Sequence, residues 1–139
     1  GNVAGGTEMG SIEYAVEHLG VSLIAVLGHT RCGAVTAVAK GEEVSGNMNA
    51  LVELIAPAVA RAKAEYPGAT GDLLVYEAVK ANVWIAAEKI FKSSAIIRRE
   101  VKGGALAVMG AIYDIESGQV DWMGVHPAEQ QLLYMSGVK

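Results

Sequence analysis

The chain has 139 residues, enough for one domain that buries a sizeable core without staples. Hydrophobic residues make up 52% and charged residues 19%, which argues against a disordered chain. A net charge of −4 with no basic cluster leaves no electrostatic footprint for nucleic acid. The longest apolar runs, such as Val21–Leu27, are far too short to span a bilayer, so no membrane partner is expected. A single cysteine cannot form an internal disulfide, and no charged leader with an apolar h-region is visible, so a reducing, cytoplasmic setting is expected.

In chain order, Glu8 to Leu19 is predicted as a helix. Ile12, Ala15, Val16 and Leu19 recur at spacings of three and four, Thr7 or Ser11 supplies a cap and Gly20 a stop. Val21–Leu27 is apolar at nearly every position and reads as a parallel strand buried on both faces. A short helix from Gly33 to Lys40, closed by Gly41, leads into the polar loop Glu42–Asn47. Met48 to Tyr66 is helical by period, with Pro57 kinking it or starting a second helix. Asp72 caps the longest helix, about Leu73 to Lys92, and Ser94 caps another through Arg99. Ala105–Ile115 and Val120–Met123, joined by Glu116-Ser117-Gly118-Gln119, read as a hairpin. A helical piece started by Pro127 runs from Ala128 to Met135. The order α-β-α-α-α-α-β-β is short of strands for its helices, so further strands come from a longer chain or another subunit. Gly1-Asn2-Val3-Ala4-Gly5 reads like the middle of a turn, as though the sequence continued before it.

The chemistry concentrates in Gly28-His29-Thr30-Arg31-Cys32-Gly33, between strand and helix. Ligands of open α/β sheets bind at such strand carboxyl ends. A thiolate and an imidazole three positions apart offer two ligands to a soft cation such as zinc, which takes three or four from protein. Cys32 falls at a predicted helix N-terminus, where the dipole favours a thiolate; Gly28 and Gly33 suit close approach of backbone to a ligand; Arg31 adds charge or points to solvent. A buried structural thiol after a core strand is the competing reading. A phosphate loop would need Lys where Ala34 stands, and a cysteine-phosphatase loop would need Arg where Val38 stands. Gly1–Gly10 does not fit the dinucleotide fingerprint. His18 and His126 read as a solvated helix end and a pre-proline turn.

Gly1-Asn2, Ser11-Ile12-Glu13-Tyr14-Ala15-Val16 with Leu19-Gly20-Val21, and Gly28-His29-x-x-Cys32-Gly33 together resemble the β-class carbonic anhydrases. Asn82-Val83 and Gly110-x-x-Tyr113-Asp114-Ile115-x-x-Gly118-x-Val120 follow that family's pattern in the same order, to about Met123. The resemblance implies an α/β fold, a mainly parallel sheet flanked by helices with an antiparallel C-terminal hairpin. It further implies homodimers or higher even oligomers, and zinc-dependent hydration of carbon dioxide to bicarbonate. Zinc is then held by two cysteines, one histidine and a water or aspartate, with His29 and Cys32 matching the histidine and second cysteine. The Gly33 N–H would face the substrate and Tyr14 would line the carbon dioxide pocket. Tyr113 matches a position that helps hold inhibitory bicarbonate in some members.

The family's Cys-x-Asp-x-Arg motif, with the first zinc cysteine, has no counterpart in these residues. The chain therefore reads as the C-terminal larger part of one such domain, inactive without the preceding segment. Two other functions fit the same residues: hydrolysis of carbon disulfide or carbonyl sulfide on this scaffold, or a non-catalytic oligomeric role.

Overall fold

The computed structural model describes residues 1–135. Its elements are α1 (Gly6–Leu19), β1 (Leu23–His29), α2 (Gly33–Lys40), α3 (Met48–Glu65), α4 (Gly71–Ser93), α5 (Ala95–Lys102), β2 (Ala107–Tyr113), β3 (Val120–Val125) and α6 (Glu129–Tyr134). Helix stops follow the glycines: Gly20 (φ 66°) and Gly41 (φ 68°) are left-handed and return their N–H groups to the last turn. Starts follow the sequence less closely. α1 begins after Gly5 with no side-chain cap, and Ser11 instead donates back to the Thr7 carbonyl. Thr70, not Asp72, is the N-cap position of α4, leaving Asp72 in the first turn where its charge suits the helix dipole. Ser94 does cap α5, accepting from the Ile97 N–H at 3.2 Å. α3 runs through Pro57 as one helix.

The sheet has the order β1-β2-β3, with β1 and β2 parallel and β2 and β3 antiparallel. The α/β class and the C-terminal hairpin are as expected; among the described residues one pairing of the two is parallel. α4 is the helix that packs on the sheet, and α3, α2, α5 and α6 pack around α4. Its Ala78, Val79, Val83, Ala87, Ile90 and Phe91 are buried. With Ile55 of α3, Ile97 of α5 and Val108 of β2 they form the centre of the core. Each large side chain taken fully out of water there contributes about 1.5–3 kcal/mol.

Strand alternation separates two unlike sheet faces. Val26, Val108 and Ile112 turn toward α4 and are buried. On the other face Leu23, Leu27, Tyr113, Val120, Trp122 and Val125 are each more than a third exposed. The prediction that Val21–Leu27 is buried on both faces is therefore corrected. The described sheet ends at β1, and this second face stays open, although its residues are as apolar as those against α4. No helix among the described residues is long and apolar enough to cross a membrane.

Candidate metal centre

β1 delivers His29 as its last residue, and the turn Thr30–Arg31 leads to Cys32, the N-cap position of α2. The turn is held on both sides. Thr30 N–H continues the β ladder by donating to the Tyr113 carbonyl at 2.9 Å. Its hydroxyl donates to Asp114 Oδ1 at 3.5 Å and accepts from the Ile115 N–H at 3.2 Å. Asp114 also accepts the Glu116 and Ser117 N–H groups, an Asx turn that holds its carboxyl below the usual carboxylate range. Arg31 takes a left-handed backbone (φ 55°) and pairs with Glu116, so its charge is matched across the turn. Positive φ at a long side chain is a stored cost of about 1 kcal/mol or more, tolerated because both flanks are pinned.

One ring nitrogen of His29 is engaged by the turn itself. Its Nδ1 lies 2.9 Å from the Thr30 carbonyl, and a carbonyl only accepts, so Nδ1 carries the proton. That tautomer leaves the Nε2 lone pair available, and a backbone carbonyl behind the other ring nitrogen is the usual support of a metal-bound imidazole.

Cys32 is 3% exposed. Burial pushes its thiol pKa up, while a hydrogen bond from the Gly1 nitrogen at 2.8 Å and the backbone N–H groups of Val35 and Ala34 act to lower it. Thr36 caps the Cys32 carbonyl twice, by N–H at 2.9 Å and by hydroxyl at 2.8 Å, so the N-cap position cannot drift.

A soft thiolate and an oriented imidazole fit zinc by type. In number they are half of a site, because among the described residues no group of three or more His, Cys, Asp or Glu could hold a metal.

The remaining predicted residues fall less closely around this pair. Gly33 is the first residue of α2, so its N–H has no intrahelical acceptor, and a Cβ there would meet nothing within 4 Å. Tyr14 is 58% exposed on α1 with its ring 4.9 Å from His18. Gly28 backs onto α4 and not onto a ligand: a Cβ would lie 2.8 Å from Val79 and Val83. His126 precedes Pro127 as expected but is buried, edge-on to Trp84 and 3.4 Å from Glu88.

Nothing in the sequence pattern singles out Thr30, Thr36 or Asp114 as supports of the turn. Asp-x-x-Ser-Gly after a strand marks Asp114 only as the start of its own turn. A concavity of about 240 Å³ beside the turn is lined by Thr30, Arg31, Thr36, Asp72, Val75 and Tyr76.

A family model described as carbonic anhydrase matches residues 1–120. Carbonic anhydrase 2 of Mycobacterium tuberculosis (strain H37Rv) is 34% identical over 123 residues, covering 86% of this chain and 57% of its own length. The carbonic anhydrase of Synechococcus elongatus is 33% identical over 120 residues, covering 84% of this chain and 44% of its own length. The chain thus spans about half the length of these curated relatives. Among solved structures, the β-carbonic anhydrase CcaA superposes with a TM-score of 0.76 at 25% identity, over 94% of this chain and 65% of that one. The β-carbonic anhydrase CafA of Aspergillus fumigatus reaches 0.80 at 24% identity, over 99% and 68%, a likeness of fold.

Proposed function

Since the chain belongs to the β class of the carbonic anhydrase family, we propose that it is the larger part of a zinc enzyme hydrating carbon dioxide reversibly to bicarbonate and a proton. His29 through Nε2 and Cys32 through Sγ are two of the metal's ligands, and the other donors come from outside the described residues. The observation that supports this most is the 2.9 Å contact of His29 Nδ1 with the Thr30 carbonyl, which leaves Nε2 to ligate. Zinc in such a site makes water acidic near neutral pH.

What the chain's own residues contribute is placement. The Thr30–Tyr113 and Thr30–Asp114 bonds hold the turn, and the turn sets His29 and Cys32 at the same strand end. The Gly33 N–H faces a bound oxygen of the substrate, and Tyr14 supplies apolar wall once a partner covers it. The open sheet face is the place for such a partner, in a homodimer or higher even oligomer; the Sordaria macrospora neighbours are described as tetrameric. The lone thiol suits a reducing cytoplasm.

Zinc content and carbon dioxide hydration, measured on the 139-residue chain and on a chain extended upstream, test the reading. The expected result is little zinc and no turnover for the first, and one zinc with turnover for the second. Robust turnover by the 139 residues alone would overturn the need for outside donors. An extended chain that binds no zinc and hydrates nothing would leave a non-catalytic oligomeric role. Carbonyl sulfide and carbon disulfide, assayed beside carbon dioxide, decide the substrate.

A further inference from the structure

α4 is apolar wherever it is buried except at one place, Asn82, which is 2% exposed among Ala78, Val79, Val83 and Ala86. A buried amide needs partners, and Asn82 finds both in one residue. Its Nδ2 donates to the Asn2 carbonyl at 2.7 Å and to Asn2 Oδ1 at 3.2 Å. The orientation of Asn2 is dictated by this contact, because the flipped amide would set two donors against each other. The cost of that choice is visible: Asn2 Nδ2 is buried without a partner among the described residues.

The residue before it is equally confined. A Cβ on Gly1 would come within 2.7 Å of Ile55 Cδ1 and 3.3 Å of Ala34 Cβ, so the Gly1–Asn2 dipeptide lies between α3 and the start of α2. From that slot the Gly1 nitrogen donates to Cys32 Sγ at 2.8 Å.

We propose that Asn82 is a positioning residue for Cys32: by clamping Asn2 it keeps Gly1 over the sulfur, shielding it and fixing the direction from which it binds a soft metal ion. As far as the metal is concerned this rests on Cys32 being a zinc ligand; the shielding of the sulfur does not. A sulfur 3% exposed is attacked only when its cover leaves, so the alkylation rate of Cys32 measures how often the clamp opens.

The test is iodoacetamide labelling of metal-free chain at one fixed pH, followed by mass spectrometry. Asn82→Leu keeps the volume and removes the donor, and Asn82→Ala removes both; each is expected to label at least tenfold faster than the parent. Ile90→Ala, a loosening of α4 in its second half, away from Asn2 and from the Cys32 turn, is the control and is expected to stay within twofold. Asn2→Ala, which loses one of two acceptors, falls between, and its combination with Asn82→Leu is expected to be no faster than Asn82→Leu alone. Equal rates for parent and Asn82→Leu, or equal acceleration by Ile90→Ala, would overturn the proposal. Competition with a chelator for Co2+ on the zinc-competent form is the second readout, with a loss of about 10–100-fold in affinity expected for Asn82→Leu. If the parent binds no metal, the zinc reading fails while the labelling result still decides the clamp.

Discussion

Val83 of α4 fills the space that Gly28 leaves empty in β1: a Cβ on Gly28 would lie 2.8 Å from Val83 Cγ2, with Val79 Cγ1 equally near. A Cβ on Gly110 of β2 would lie 2.8 Å from the other methyl of Val83 and 2.9 Å from the Trp84 ring. The helix therefore rests on bare backbone of both parallel strands. Gly28→Ala is expected to destabilise the fold by about 1–3 kcal/mol through overpacking. Gly33→Ala, with open space around the new methyl, should stay within about 0.5 kcal/mol. Urea unfolding midpoints of the two variants check the contrast; equal midpoints would refute this account of helix–sheet contact.

Removing one ligand should cost the metal. In a zinc-competent form, Cys32→Ser and His29→Ala are each expected to abolish stoichiometric zinc by elemental analysis while leaving the circular dichroism spectrum intact. Retained zinc in Cys32→Ser would dismiss that residue as a ligand. Thr30→Val, which keeps the shape of the turn but loses the bonds to Asp114 and Ile115, should weaken binding without eliminating it.

Acid should loosen the seat of α6. Buried His126 accepts the Ala128 N–H on Nδ1 at 2.9 Å, with Nε2 toward Glu88, the Trp84 ring alongside, and Arg61 and Lys92 beyond. Burial chiefly lowers its pKa; the Arg61 and Lys92 charges add to this, and Glu88 opposes it. Because the folded value lies below the unfolded one, the stability held by neutral His126 is whole above about pH 6.5 and is lost as pH falls from there.

Burial works to raise the Glu88 pKa, but bonds and charge from Lys92 and Arg61 prevail and hold it below the ordinary carboxylate range. Its contribution is whole above about pH 4.3 and is lost on further acidification. Melting temperatures from pH 8 to pH 3 should therefore fall in two stages, and His126→Gln should remove the upper one. A parent curve flat between pH 7 and pH 5 would contradict the histidine assignment.

The open sheet face should drive association. Sedimentation of the chain is expected to show concentration-dependent dimers or larger species, and Trp122→Lys or Leu27→Lys should shift them toward monomer. Both side chains are about half exposed, so neither substitution disturbs the core. A parent chain that stays monomeric at high concentration would sink the oligomer proposal.

The sequence carried the site's position because strand, turn and helix each have local signatures: an apolar run, Gly28, and an alanine-rich segment closed by Gly41. It misjudged the burial of β1, since an apolar run reports what a strand is suited to and not what stands beside it. Leu23 and Leu27 have the composition of a core and the exposure of a surface. The clamp from Asn82 was hidden for another reason. Its partner Asn2 is 80 residues away, a distance at which no periodicity or spacing rule operates. His126 was read from Pro127 beside it, whereas Glu88 and Trp84, distant in the chain, decide its surroundings.

The parallel pairing of β1 with β2 has a consequence in time. Leu23 aligns with Ala107, and Thr30 meets Asp114, 84 positions further on and beyond four helices. On a ribosome adding about 5–20 residues per second, β1 waits on the order of 4–16 s before its neighbour exists. Through that interval β1 lacks its pairing with β2, while α3 and α4, adjacent in the chain, can already pair. Loop closure makes the sheet the late event of folding, and the end of β1 that holds His29 is fixed only when the last third of the chain arrives.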